Sequence, residues 1–198
     1  MAGAGSAGWQ PGAARGVEVE FAGGDGVMRR EPLGGCWNLA FERAAPVQGF
    51  ASFRGQRNRP GLWWFARTGE HVGHESWLER DRLMALDADP ALVGVAAQPM
   101  WLHWAAESGP PVRHAPDFFA RRADGTGVVI DVRADERIGE KDAAVFAATA
   151  QWCAQVGWTT SGQGGWARCV RPICAGCRVT VIPGSLSRGQ RSRPAPPA

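Results

Sequence analysis

A chain of 198 residues has room for one domain of ordinary size with terminal extensions, and a second full domain would be crowded. Hydrophobic residues make up 44 % of it, with 10 Trp and 8 Phe, which supplies a core and excludes a chain that stays unfolded. The formal charge of +3 is unevenly placed: residues 159–198 carry six Arg and no acid, leaving 16 basic against 19 acidic residues before them, and such a tail reads first as a solvated segment rather than a dedicated nucleic-acid arm.

Residues 1–16 are Gly/Ala-rich and are expected to be disordered. From Val17 onward the pattern is broken and Gly-rich, with short strand-like pieces such as "VEVEF". The stretch "RGQRNRPGLWWFARTGEHVG" (54–73) reads as an extended arm, a Pro-Gly turn, a short aromatic strand and another turn. Arg54, Arg57, Arg59 and Arg67 surround Trp63, Trp64 and Phe65 there. Cations interleaved with aromatic rings suit phosphate contact and base stacking, and a hairpin laying its rings on the core has the same sequence.

"HESWLERDRLMALDADP" (74–90) predicts a helix that stops at Asp89-Pro90, because proline disfavours helix in the residue before it. Glu79, Leu83 and Leu86 recur at helical spacing, so a carboxylate shares the apolar stripe, with Glu75 one turn earlier on the same side. "ALVGVAAQPMWLHW" follows as one or two strands, then a polar turn. "HAPDFFARRADGTGVVIDVR" (114–133) reads as strand, Gly-rich turn and strand, and "KDAAVFAATAQWCAQVGW" (141–158) as a second amphipathic helix. The succession of helix, strands, hairpin and helix predicts an α/β fold, a mixed central sheet flanked by helices.

No stretch approaches the roughly 18 uninterrupted apolar residues of a membrane span. The first residues also lack the charged start and apolar block of a secretory signal, so a cytoplasmic protein without a membrane partner is expected. The five Cys read as reduced thiols. "CAGC" at 174–177 has metal-like spacing, yet no second such pair and no nearby His complete a zinc site.

The hairpin carries the chemistry. Asp117 opens its first strand and Asp131 ends its second, so pairing around "ADGTG" sets them side by side at one end of the sheet. Two carboxylates there are costly unless a cation joins them, and hard oxygen ligands with waters and phosphate oxygens are what Mg²⁺ takes. Glu79, on the inward stripe of the preceding helix, is the natural third acid. His114, two residues before Pro116, is a candidate to steer water or touch phosphate.

"SWLE" on a helix, Gln98-Pro99 closing a strand, Pro116-Asp117 opening another and "DVR" ending its partner resemble the PD-(D/E)xK nuclease core. Within it, the chain is most similar to TnsA-like endonuclease subunits of heteromeric transposases, of the actinobacterial type, over about residues 50–158. The resemblance implies a nuclease domain over 17–158 with a restriction-endonuclease-like core. It implies Mg²⁺ (or Mn²⁺) held by Glu79, Asp117 and Asp131, and cutting of the 5′ strands at transposon ends. The implied partners are double-stranded DNA, for which Arg54, Arg57, Arg59 and His114 are the candidate contacts from their own pattern, and a recombinase of the DDE type; the protein would be nucleoid-associated when acting.

Where the family pattern ends in Lys this chain has Arg133, which can clamp negative charge but cannot serve as a base. Either Arg133 takes that place as an electrostatic clamp or Lys141, the chain's lone lysine, supplies the ammonium. Some relatives carry an amide at the position of Asp131. A shifted reading frame over 173–185 can spell an Arg/Trp-rich ending of the family's kind, so a frameshift is the hypothesis for the irregular basic tail, 159–198. Two other functions stay open: a catalytically impaired DNA-binding assembly subunit, and a restriction or repair nuclease of the same superfamily.

Overall fold

The computed structural model describes residues 16–49, 59–106, 109–134 and 137–160. Arg54, Arg57, the first 15 residues and the tail from 161 onward lie outside them. Within the described residues the fold is mixed α/β, with its strands distributed over two four-stranded sheets and a separate hairpin rather than gathered into one central sheet.

The first sheet is antiparallel, in the order β2 (Met28–Pro32), β1 (Val17–Ala22), β6 (Trp101–Trp104), β7 (Val112–His114). Strand β1 alternates as its sequence requires, with Val17, Val19 and Phe21 buried and Glu18 turned out to pair with Arg30 across the ladder at 2.6 Å. The second sheet runs β10 (Thr159–Thr160), β9 (Gly127–Ile130), β8 (Phe118–Arg122), β5 (Leu92–Ala97). Its β10 is parallel to β9 and its other pairs are antiparallel. The aromatic stretch folds into a hairpin of β3 (Gly61–Phe65) and β4 (Glu70–His74).

Strands β8 and β9 are covered on both sides, which is why their sequence is almost continuously apolar. Phe118, Ala120, Val128 and Ile130 face one cluster, with Leu83 and Leu86 of helix α2 (Trp77–Asp87), Phe65 and Val72. Phe119 and Val129 face the other, with the first sheet, Phe41, Trp158 and Cys153 of helix α3 (Glu140–Gln155). Gly127 is required there. A Cβ would stand 2.7 Å from both Phe119 Cζ and Trp158 Cδ1.

Helix α2 begins at Trp77, not at His74, because Ser76 caps it: the Glu79 N–H donates to Ser76 Oγ at 3.2 Å. His74 belongs to β4 instead. Helix α3 ends at Gln155, short of Trp158, where Gly157 takes φ +73° and the Trp158 N–H returns to the Cys153 carbonyl at 2.9 Å. A short helix α1 (Leu33–Cys36) and a 3-10 turn at Phe41–Arg43 fill the space beside β1 and β5. No helix among the described residues is long and apolar enough to cross a membrane.

Candidate active site

The β8–β9 ladder pairs Phe118 with Ile130, and β5 pairs Ala97 with Phe118. One residue further on, this antiparallel register sets Gln98, Asp117 and Asp131 in a row across the end of the second sheet. The row is tied together by backbone: the Gln98 N–H donates to the Asp117 carbonyl at 3.0 Å. The Val132 N–H donates to Asp117 Oδ2 at 2.6 Å.

Asp117 is the electrostatic centre of this end. Its carboxyl is pushed up to about 7, by burial first and by the charge of Asp131 second; the Val132 N–H opposes the shift, Glu79 adds to it and His114 opposes it. Asp117 keeps some solvent contact, but the crowding of acids around it favours the proton. His114, at the end of β7, brings Nε2 to 2.9 Å from Asp131 Oδ1, an ion-pair separation without hydrogen-bond geometry, and sets its ring edge-on to Phe146 of α3 at 6.2 Å.

Glu79 reaches the row from the other side. Its helix α2 packs on the Phe118–Ile130 face, whereas α3 packs on the Phe119–Val129 face and lies with Asp131 and His114. The Glu79 carboxylate is taken up by its own helix end: Oε1 accepts from the Ser76 hydroxyl and Oε2 from the Glu75 N–H, both at 2.7 Å. That makes it a capping acid, buried with 8 % exposure. Glu75 is in turn raised above its ordinary value by burial first and Glu79 second, with the Gln98 side chain opposing.

Among the described residues no three His, Cys, Asp or Glu side chains are set to hold a metal ion. The donor chemistry nevertheless suits a hard divalent cation: two carboxylates in conflict at one strand end are the ligand set Mg²⁺ completes with water. Each Glu79 oxygen keeps a second lone pair.

The remaining sequence-derived residues stand apart. Arg133 is half-exposed with its guanidinium 3.8 Å from Asp142 Oδ1, turned to the start of α3 rather than to the acids. Lys141 is exposed in the first turn of α3. Arg59 is exposed at the entry to β3. The hairpin it enters packs two of its rings and leaves the third exposed. Phe65 is buried and Trp63 donates to Asp87 Oδ2 at 3.2 Å, whereas Trp64 is 53 % exposed beside His71.

Gln98 has a larger part in this end of the sheet than its sequence suggests. It is 3 % exposed, its Oε1 is buried without a partner, and it is the one non-glycine with positive φ (44°) among the described residues. A residue before proline is ordinarily driven to extended backbone. Holding this one left-handed costs on the order of 1–3 kcal/mol, a strain that concentrates at functional sites. The Gln-Pro pair marked a strand end in the sequence; nothing local in it signals the reversed φ.

A scan of the chain against protein-family models gives no match, and a search of the curated proteins gives none.

Proposed function

We propose that this chain is a metal-dependent DNA endonuclease with a restriction-endonuclease-like (PD-(D/E)xK) core, the subunit of a heteromeric transposase that cuts the 5′ strands at transposon ends beside a recombinase of the DDE type. The observation that carries the reading is the Asp117–Asp131 pair at the end of β8 and β9, with the Asp117 carboxyl raised to about 7 by burial and by its neighbour. A fold assembled only for stability gains nothing from gathering acids there.

Asp117 and Asp131 would hold Mg²⁺ (or Mn²⁺), with Glu79 at the border of the site. Once bound, such a cation acidifies water and offsets charge on phosphate, which is what hydrolysis of a phosphodiester requires. The chain's own residues do the rest. The Val132 N–H fixes one Asp117 oxygen and leaves the other free to the site. His114 stands beside the Asp131 carboxylate on the β7 side. Arg133 and Lys141, at the loop and helix beyond Asp131, supply positive charge for the DNA backbone, and Arg59 extends that charge along the β3–β4 hairpin.

The test is Mg²⁺-dependent cutting of duplex DNA bearing a transposon end by the purified chain, with its recombinase partner present, compared with Asp117→Asn. Loss of cutting with an unchanged circular dichroism spectrum is the expected result. Equal cutting by the variant overturns the reading.

A second reading has support of its own. Arg133 turned toward Asp142, and Glu79 committed to its helix cap, favour a DNA-binding assembly subunit with little or no chemistry. DNA binding that survives without Mg²⁺, in a wild-type chain that never cuts, distinguishes it.

A further inference from the structure

Gln98 occupies the third place in the row that holds Asp117 and Asp131, on β5's side of β8. Its backbone is fixed at both polar atoms, the N–H to the Asp117 carbonyl at 3.0 Å and the carbonyl to the Val47 N–H at 2.8 Å. Its side chain is almost wholly enclosed, and its carboxamide opposes the upward shift of the neighbouring Glu75 carboxyl. Its Oε1 is enclosed with no donor. A buried carbonyl oxygen without a partner is costly, and it is found where a water, an ion or a ligand completes it. Backbone strain at the same residue, in a conformation glycine would adopt freely, means that a side chain is kept here against the local preference.

We propose that Gln98 is a positioning residue of the carboxylate site, its Nε2 holding Glu75 beside Glu79 and its Oε1 accepting a hydrogen bond from the hydration shell of a divalent cation held by Asp117 and Asp131. A neutral carboxamide suits this place. It adds an acceptor for ordered water without adding a further negative charge to the four acids named, and its amide end offsets one of them. The left-handed backbone is what lets β5 end at Asp117's side and still turn its last side chain inward ahead of Pro99.

This inference rests on the carboxylate reading above, and Mn²⁺ binding separates the two. The full chain is titrated with MnCl₂, free Mn²⁺ being read by electron paramagnetic resonance, for wild type, Asp117→Asn, Gln98→Gly and Gln98→Met; thermal melting is recorded on each without metal. Wild type is expected to show a saturable site that Asp117→Asn loses. Gln98→Gly relieves the strain and removes the carboxamide, while Gln98→Met keeps the size and removes only the hydrogen-bonding atoms. Both are expected to weaken Mn²⁺ about tenfold, with a melting temperature equal to or above that of wild type for Met. A residue serving the fold alone would lower the melting temperature and leave the affinity of the folded protein untouched. Wild-type affinity in Gln98→Met, or in Gln98→Gly, overturns the role of Gln98. Absence of a Mn²⁺ site in wild type removes the carboxylate reading itself.

Discussion

Asp117 and Asp131 stand opposite each other one residue past the last paired rung of β8 and β9, and burial first, with the charge of Asp131 second, favours a proton on the Asp117 carboxyl. The native carboxyl titrates at about 7 against an ordinary 3.8, so between those values the folded chain binds a proton that the unfolded chain has released. Stability therefore falls as pH rises through that window, and the full loss is present above it. At 1.36 kcal/mol for each pH unit the loss is at most about 4 kcal/mol, an upper value because the carboxyl retains some solvent contact. Asp117→Asn is expected to be more stable than wild type at pH 8.5 by an appreciable part of that amount, and nearly equal to it at pH 4. Urea unfolding at the two pH values measures it; a variant that is less stable at pH 8.5 contradicts the placement of the proton.

Glu79 holds the end of its own helix as well as bordering the acids, and two substitutions separate these roles. Glu79→Gln keeps one oxygen to accept from the Glu75 N–H and an amide N–H that can donate to the Ser76 hydroxyl, but loses the charge. Glu79→Ala loses both. The alanine variant is expected to unfold about 1 kcal/mol more easily, the usual worth of a capping interaction, and the glutamine variant to match wild type within about 0.5 kcal/mol. If Glu79 also serves the reaction, cutting falls in both variants alike. Cutting that tracks stability instead confines the residue to the helix cap.

The parts of this fold that could be read in the sequence are those fixed by neighbours along the chain. The β8–β9 hairpin follows from a turn at Asp124-Gly125, where the Thr126 N–H donates to Asp124 Oδ1 at 2.9 Å, between two apolar runs. Its register then brings Asp117 opposite Asp131 without further information. The start of α2 was legible only approximately, since Ser76 is a good cap but nothing in His74 and Glu75 before it forbids a helix. Two sheets rather than one could not be read, because β1 finds β6 through the pairing of Val17 with Trp104, far apart in sequence and unmarked by any local pattern. Strand β7 hides behind Gly109, Pro110 and Pro111, which read as a turn. The reversed backbone of Gln98 runs against the preference that proline imposes, and a site that opposes a local rule is invisible to reasoning built on it.

Gly127 marks where β9 lets two rings close over it. Adding a methyl would drive it into Phe119 and Trp158, which stand edge to face with centroids 4.9 Å apart. Gly127→Ala is expected to destabilise by about 1–3 kcal/mol, the cost of overpacking a core. In a Trp158→Ala background the Trp158 clash is gone and Phe119 has space to give way, so the two effects should fall short of their sum by more than about 0.5 kcal/mol in chemical denaturation. Full additivity would place the clash elsewhere.

Arg133 and Lys141 compete for the positive charge beyond Asp131, and their surroundings set out how to tell them apart. Arg133 makes only a long, half-exposed pair with Asp142, and Lys141 is exposed, so alanine at either is expected to change stability by less than about 0.5 kcal/mol. Any loss of function in these variants then reflects contact with DNA or its reacting phosphate rather than unfolding. Arg133 lies two residues from Asp131 along the same chain segment, and its planar fork suits a phosphate. Arg133→Ala is therefore expected to lower the cutting rate at saturating Mg²⁺ at least tenfold, with Lys141→Ala close to wild type. Arg133→Lys should recover part of the loss, since a point charge replaces a bidentate one. The reverse ranking in the same assay assigns the role to Lys141, and equal, small losses in both assign the charge to general DNA attraction, which a steep fall in DNA affinity with added salt would register.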